Sequence, residues 1–461
     1  MKKIIVLGAG LSGLATAYRI RQKLPNAEIS ILEKSDRLGG KIQSTHRDGF
    51  CFEHGPNGFM DSRQEIVDFC LELGLEKEML RSNQDAATRF IYRNGKLHSL
   101  PNGLFGMFTM SLLSFRGKLG FLKDLFVKPH KYDDKSLAEF AEQHFGKEVR
   151  DYMMDPFSTG VFGSPCAELS LRSCFEMLFE IEQSHGSVIK GMMAKQKSAK
   201  RKRLEAGEAK KERGKLCSLK GGMAELIKTL EETLKKDCQI LRNVDVKSID
   251  KSTKRLSYSQ NGEEFSVDFD ALVSAIPADN FAEVFNDSFD EAAKAAAEID
   301  YSQISVVASA YKERPSESWA NAFGYLVPGI EKGSMVLGNL FSSSIYNHRA
   351  PAGSFLMRAM TGGAKAPEVI GDTEKAKALV NKDYAQTLNF KQEAQFQEVI
   401  HWSKAIPKYR PGHYQIVEKV ENELKNSAVF VTGNAFYGVS MNDCIIAAEK
   451  CSQDLEKILE S

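Results

Sequence analysis

Short uninterrupted apolar runs alternate along this chain with stretches whose apolar positions recur at helical spacing. That pattern predicts buried parallel strands joined by amphipathic helices. Ile4-Ile5-Val6-Leu7 is the first run; Leu14, Ala15, Ala17, Tyr18 and Ile20 then repeat on one helical face, and Ile29-Ser30-Ile31-Leu32 reads as a second strand. The theme returns mid-chain with a helix from Met223 to about Lys235, Val244-Asp245-Val246, and a strand Ala271-Leu272-Val273-Ser274-Ala275 stopped by Pro277. It returns again near the end, where Ala428-Val429-Phe430-Val431-Thr432 precedes a helix carrying Ile445, Ile446, Ala448, Leu455, Ile458 and Leu459. Between these pieces lie four strand-like runs, Ile304–Tyr311, Phe323–Val327, Met335–Phe341 and Phe355–Thr361. Residues 101–214 read instead as helices, with Leu104 to Phe126 rich in Leu, Phe and Met and broken by Gly106, Gly117 and Gly120.

A chain of 461 residues is too long for one core. The patterns divide it into a mixed α/β architecture of three parts. Residues 1–75, 215–285 and 400–461 make a discontinuous Rossmann-like cofactor domain. Residues 76–100 and 286–399 make a β-sheet substrate domain, and 101–214 a helical insertion.

The chemistry is concentrated where the first strand meets the first helix. Gly8-Ala9-Gly10-Leu11-Ser12-Gly13 follows the strand directly, and Glu33 ends the second strand about twenty residues later. This is the dinucleotide fingerprint in register with its strand–helix–strand unit. Gly8 allows the tight turn, Gly10 lets a pyrophosphate approach the backbone, and Gly13 lets helix and strand pack. The helix N-terminus offers N–H groups and a positive dipole end to phosphate. Glu33, followed by Lys34, is placed to accept hydrogen bonds from a ribose. A second glycine pair, Gly39-Gly40-Lys41, and a third motif, Gly55-Pro56-Asn57-Gly58, lie close behind. They bring more backbone to a longer cofactor and point to FAD rather than a nicotinamide dinucleotide. Val246 is expected at the adenine end. Gly433, then Val439-Ser440-Met441, opens the C-terminal helix, whose dipole would favour negative charge on the flavin ring.

Composition removes several classes. The formal net charge is +1, giving no electrostatic case for nucleic acid. Lys195 to Lys215 holds ten basic and three acidic residues without interleaved aromatics. It reads as a solvated helix or loop, or as a docking patch for anionic lipid or a partner protein. The Leu104–Phe126 stretch likewise has two readings, a buried helical core or an apolar face on a membrane or channel. The eight cysteines form no CxxC pair and lack zinc spacing. Reduced thiols in a cytoplasmic compartment, and no metal, are expected. No apolar run approaches the ~20 residues of a membrane span, so membrane contact is expected to be peripheral.

The second glycine pair resembles the FAD-binding amine oxidase superfamily and also occurs in phytoene desaturases. Further segments resemble the protoporphyrinogen and coproporphyrinogen III oxidases of haem synthesis nearly end to end. They are Arg89-Phe90-Ile91-Tyr92 with Leu100-Pro101-Asn102-Gly103-Leu104; Asp155 to Gly163 with Glu168-Leu169-Ser170; Phe175-Glu176-Met177 through Glu182 to His185-Gly186-Ser187; Phe323 to Pro328; Ala405 to Tyr409 with Gly412-His413; and Tyr437-Gly438-Val439 with Asp443-Cys444-Ile445. Lys408 departs from the family's usual glutamine.

The resemblance implies a porphyrinogen substrate, oxygen as acceptor, and contact with a membrane or the next haem-pathway enzyme. Arg89 would grip a propionate, Gly160 would present backbone to the ring, and Phe323, Leu326 and Met360 would sandwich the macrocycle. Trp402 packs near the isoalloxazine or in plain core. A bridging CH₂ would give hydride to flavin N5 while a pyrrole N–H is lost, and oxygen would leave as peroxide. No catalytic base is expected; His54, His185 and His413 read as structural hydrogen-bonders. Gly433-Asn434-Ala435-Phe436-Tyr437 holds no cysteine, so the flavin is expected to be noncovalent. An amine oxidase, a carotenoid-type desaturase and a flavin-containing docking scaffold are the rival readings.

Overall fold

The computed structural model describes residues 1–101, 106, 109–205 and 214–460. Asn102-Gly103-Leu104 and residues 206–213 of the basic stretch lie outside the described residues. The chain is a mixed α/β protein. Its parallel sheet gathers five strands from three distant parts of the sequence, in the order Gln239–Leu241, Glu28–Leu32, Lys3–Leu7, Ala271–Ser274, Val429–Val431. The apolar runs are continuous because both faces are buried. Ile4, Val6, Ile29 and Ile31 turn toward helices Leu11–Lys23, Ala224–Leu234 and Met441–Glu460, while Ile5, Leu7, Leu32 and Leu272 turn toward Phe281, Phe285 and Phe289. That second core runs on through Ile299, past the domain limit expected at 285.

Beside Val244-Asp245-Val246 the sequence pattern missed an antiparallel sheet, Val244–Asp250, Arg255–Gln260 and Glu263–Asp268. Its outermost strand is largely solvent-exposed, so no apolar alternation marks it. Its turn is a two-residue hairpin, Asn261 and Gly262 both having positive φ.

The largest sheet has seven strands, in the order Phe396–Trp402, Ile304–Tyr311, Phe355–Gly362, Val336–Leu340, Gly324–Leu326, Arg89–Arg93, Lys96–Ser99. All four strand-like runs lie in it, and its edge strand Phe396–Trp402 crosses the limit expected at 400. Side chains alternate between its faces. Tyr92, Val307, Tyr325, Met357 and Ala359 form one packed core with Val380 and Tyr384 of helix Thr373–Thr387. The other face carries the site described below.

The insertion is helical, with its apolar residues divided. Leu112, Leu113 and Phe121 are buried, whereas Phe115 and Phe126 are 76% and 83% exposed, with Leu119 and Leu122 exposed between them. Part of this stretch is therefore buried core and part an exposed apolar face. Of the basic stretch, residues 195–205 continue helix Val188–Glu205, in which only Val188 and Gly191 are buried. Among the described residues no helix is long and apolar enough to cross a membrane. All eight cysteines are free thiols, six of them buried.

Candidate active site

Three glycines of the first loop have three different surroundings. Gly8 donates its N–H to the Leu32 carbonyl at 2.8 Å, closing the turn. A Cβ on Gly13 would stand 1.9 Å from the Gly8 carbonyl oxygen, so helix and strand can pack only over glycine. A Cβ on Gly10 would have no neighbour within 4 Å. Gly10 is also the N-cap of helix Leu11–Lys23, with no side chain capping it. The helix thus ends in open N–H donors beside vacant room, which is what a pyrophosphate needs. Glu33 takes the Ala9 N–H at 2.7 Å and the Ser35 N–H at 2.9 Å. It ties the loop to the second strand and keeps lone-pair capacity for a ribose. Lys34 reaches Asp245 at 3.2 Å, beside half-buried Val246.

The later motifs converge on the same loop. Gly39 donates to the Ala9 carbonyl at 2.8 Å, and a Cβ on Gly40 would stand 3.4 Å from the Gly10 Cα. Lys41 lies with its ammonium 5.2 Å from the Tyr301 ring centre. Burial pulls its pKa down to about 8, against the opposing pull of Asp279 and Cys444. Gly55 packs on the Lys41 carbonyl and Gly58 on that of Cys217, with Pro56 and Asn57 between them. From the far end of the chain, Gly433 at φ +97° abuts Ser12, its would-be Cβ 3.3 Å from Ser12 Oγ. Ser440 and Asp443 cap helix Met441–Glu460 reciprocally, each N–H bonding the other's side chain at 3.1 Å, beside half-buried Val439. The Met441 side chain packs into the core with Leu14.

These residues fit a dinucleotide. The Asn57 amide nitrogen and the Ser274 and Thr432 hydroxyls are buried without a hydrogen-bond partner. Ser274 ends one parallel strand and Thr432 directly follows another. Ligands of open α/β sheets bind outside the carboxyl ends of the strands.

Of the residues expected to meet a substrate, Leu326 and Met360 share one face of the seven-stranded sheet. Pairing register aligns Ile91, Leu326, Gly338, Met360, Val306 and Ile400 in one row. The adjoining row holds Arg89, Gly324, Leu340, Arg358 and Ala308. Gly160 sits opposite, on helix Asp155–Phe162, where an added Cβ would lie 2.7 Å from Leu326 Cδ2. Leu326 and Met360 therefore share this face, and the Gly160 helix packs directly on Leu326. Phe323 stands at the mouth just ahead of its strand, under the Arg89 guanidinium at 4.4 Å. Arg89 itself is exposed. Trp402, clustered with Met360 and Ile304, donates its indole N–H to the His54 carbonyl at 2.9 Å. It thereby ties this face to the Gly55 loop.

Sequence reading missed two arginines that do the same work. Arg358 is buried on the site face and donates to the Gly55 carbonyl. Burial lowers its pKa to about 10, opposed by Glu53. A charge inside the apolar run Phe355–Thr361 was the available signal, since buried charges are paired or functional. Arg349 bridges Glu53 at 2.8 Å with both side chains 1% exposed. Glu53 also accepts the Met223 N–H at 3.0 Å and the Ser44 hydroxyl at 2.6 Å.

The histidines have partners of their own. His54 Nε2 lies 2.7 Å from Thr45 Oγ1, and His185 Nδ1 lies 2.7 Å from Ser184 Oγ. His413 stacks on Tyr409 with ring centres 3.8 Å apart, and burial lowers its pKa to about 4.

Known proteins are similar to this chain in sequence and fold. The flavin containing amine oxidoreductase family matches residues 11–455. Protoporphyrinogen oxidase 2 of Arabidopsis thaliana, chloroplastic/mitochondrial, is 30% identical over 491 residues, covering 100% of this chain and 95% of its own. Coproporphyrinogen III oxidase of Staphylococcus aureus is 29% identical over 473 residues, covering 98% and 100%. A crystal structure from Exiguobacterium sp. 255-15 shares the fold with a TM-score of 0.84 at 22% identity, covering 100% of this chain and 99% of that one. Cyclohexylamine oxidase of Brevibacterium oxydans shares it at 0.70 with 15% identity, each chain covered over 100%. The matches run from one end of the chain to the other, through both halves of the cofactor cradle and the sheet beside it, and so the chain belongs to the flavin containing amine oxidoreductase family, in its protoporphyrinogen and coproporphyrinogen III oxidase group.

Proposed function

We propose that this enzyme oxidises a porphyrinogen to its porphyrin, with noncovalent FAD and with oxygen as the final acceptor. The observation that carries this reading is the layout of one sheet face. Arg358 touches the cofactor loop at one end and Arg89 marks the mouth at the other, three strands away in the same row. That separation is about 14 Å at the usual inter-strand spacing. Apolar Leu326 and Met360 line the adjoining row, and the Gly160 helix packs on Leu326. A flat apolar ring laid across this face would direct its carboxylate tails at Arg89, since a guanidinium grips a carboxylate with two parallel bonds.

Bound flavin supplies the two-electron oxidation and passes the electrons to oxygen. The chain's own part is to hold the ring, exclude water and orient a bridging carbon.

Turnover of protoporphyrinogen IX and coproporphyrinogen III in one assay, followed by porphyrin fluorescence, tests the reading. Arg89→Ala is expected to raise KM by about 10- to 100-fold, the worth of a charged hydrogen bond, while flavin content stays unchanged. Turnover of an amine with neither porphyrinogen oxidised would overturn the assignment. Acid precipitation is expected to leave the yellow colour in the supernatant; a yellow pellet would refute noncovalent binding.

The exposed Phe115, Leu119, Leu122 and Phe126, flanked by exposed Arg116, Lys123 and Lys128, fit an anionic lipid surface. Wild-type protein is expected to sediment with anionic vesicles and the Phe115→Asp/Phe126→Asp variant to stay in solution. Wild-type protein remaining in the supernatant would end this idea.

A further inference from the structure

The wall carrying Leu326 and the helix carrying Gly160 come from different parts of the chain, and one peptide unit joins them. Asp155 begins the Gly160 helix, and its Oδ2 accepts the Gly329 N–H at 2.9 Å. Its other oxygen accepts the Cys166 N–H at 3.3 Å, beyond the far end of that helix. Lys365 donates its ammonium to the Pro328 carbonyl at 3.0 Å. Pro328 C=O and Gly329 N–H are the two ends of a single peptide bond. A carboxylate holds one end and an ammonium the other. That bond lies immediately beyond Leu326-Val327, and the segment it closes begins at Phe323.

Three observations suit a fixed wall. A Cβ on Gly329 would stand 2.9 Å from Asp155 Oδ2, so the carboxylate lies against the backbone. Leu326 Cδ2 already occupies the space beside Gly160. The chain before Asp155 runs as a π-helical turn, Arg150–Met154, a conformation that concentrates at functional sites. Lys365 is largely withdrawn from water, which lowers its pKa to about 8 although Asp383, Asp155 and Glu331 all pull it back up.

We propose that Asp155 and Lys365 are positioning residues, clamping the Pro328–Gly329 peptide so that Leu326 stays seated against the Gly160 helix and holds its place on the substrate face. Neither touches substrate. Both act by holding the Leu326 wall against the Gly160 helix. The inference rests on the porphyrinogen reading for the identity of the substrate, but the clamp is a property of the fold.

The test uses full-length holoenzyme carrying Asp155→Ala, Asp155→Asn, Lys365→Met, or Asp155→Ala with Lys365→Met. Asp155→Ala and Lys365→Met are each expected to raise the porphyrinogen KM about fivefold or more, with kcat within about twofold and flavin content unchanged. Asp155→Asn keeps an acceptor oxygen and is expected to recover most of the loss. The double variant is expected to fall well short of the product of the single effects, because both residues hold one peptide. Hydrogen exchange across residues 323–330 is expected to quicken in the Ala and Met variants. An unchanged KM, fully multiplicative effects, or exchange equal to wild type would each overturn the clamp. If the wild-type enzyme oxidises neither porphyrinogen, the functional reading fails, and the exchange measurement still decides the clamp.

Discussion

Gly10→Val is expected to purify folded and colourless. A Cβ at this position meets nothing within 4 Å, and the backbone there has φ −70°, comfortable for any residue. The substitution therefore disturbs no internal packing. It fills the room that opens onto the uncapped N-terminus of helix Leu11–Lys23. Forcing branched carbons into space a diphosphate must occupy costs about 1–3 kcal/mol. Each charged hydrogen bond lost from the helix N–H groups costs about 1.5–3 kcal/mol more. Flavin affinity should fall by about 100-fold or more, and activity with it. Gly13→Val is the control, because its Cβ would lie 1.9 Å from the Gly8 carbonyl. That variant should fail to fold rather than merely lose colour. Absorbance near the flavin maximum, set against a far-UV spectrum, separates the two. A Gly10→Val protein as yellow as wild type would remove the cofactor from this loop.

The parts of the fold legible in the sequence were those in which one local rule sufficed. Strands Lys3–Leu7 and Ile304–Tyr311 are mostly apolar, Lys3, Ser305 and Ser309 apart, because both their faces are covered, and such runs announce themselves. The glycine loop announces itself because strand, turn and helix are consecutive. The polar sheet from Val244 to Asp268 was hidden, since a solvated strand has no hydrophobic period to read. Its Asn261-Gly262 turn was the one clue and carried no weight without flanking alternation.

The site divides in the same way. Gly160, Leu326 and Met360 are brought together as the motifs suggested, but which wall each belongs to depends on register, and register is set by long-range pairing. Arg349, which braces Glu53 beside the cofactor loop, was illegible for a related reason. Nothing local distinguishes Arg349, in a segment reading Tyr346-Asn347-His348-Arg349, from a surface residue. Its meaning comes from Glu53, in a separate hairpin strand, and from Ser218, whose hydroxyl its guanidinium also meets at 2.6 Å.

That buried pair should be costly to break. Glu53 and Arg349 are each 1% exposed, 2.8 Å apart, and Glu53 in turn holds Met223 N–H at the start of helix Ala224–Leu234. Desolvating two charges consumes much of their attraction, so the intact pair adds little net stability. Removing one partner is different, because it strands the other charge in a site closed to water. Arg349→Met is therefore expected to lower unfolding free energy by about 3–5 kcal/mol. Arg349→Met combined with Glu53→Gln should be less damaging than the sum of the single losses, since the pair vanishes together. Denaturant unfolding followed by Trp402 and Trp319 fluorescence reads this, Trp402 being hydrogen-bonded to the residue next to Glu53. Flavin should leave Arg349→Met at a lower denaturant concentration than wild type, because the Gly55 loop follows Glu53 directly. Single variants within about 1 kcal/mol of wild type, or strictly additive losses, would mean that water reaches the pair and that the brace of the cofactor loop lies elsewhere.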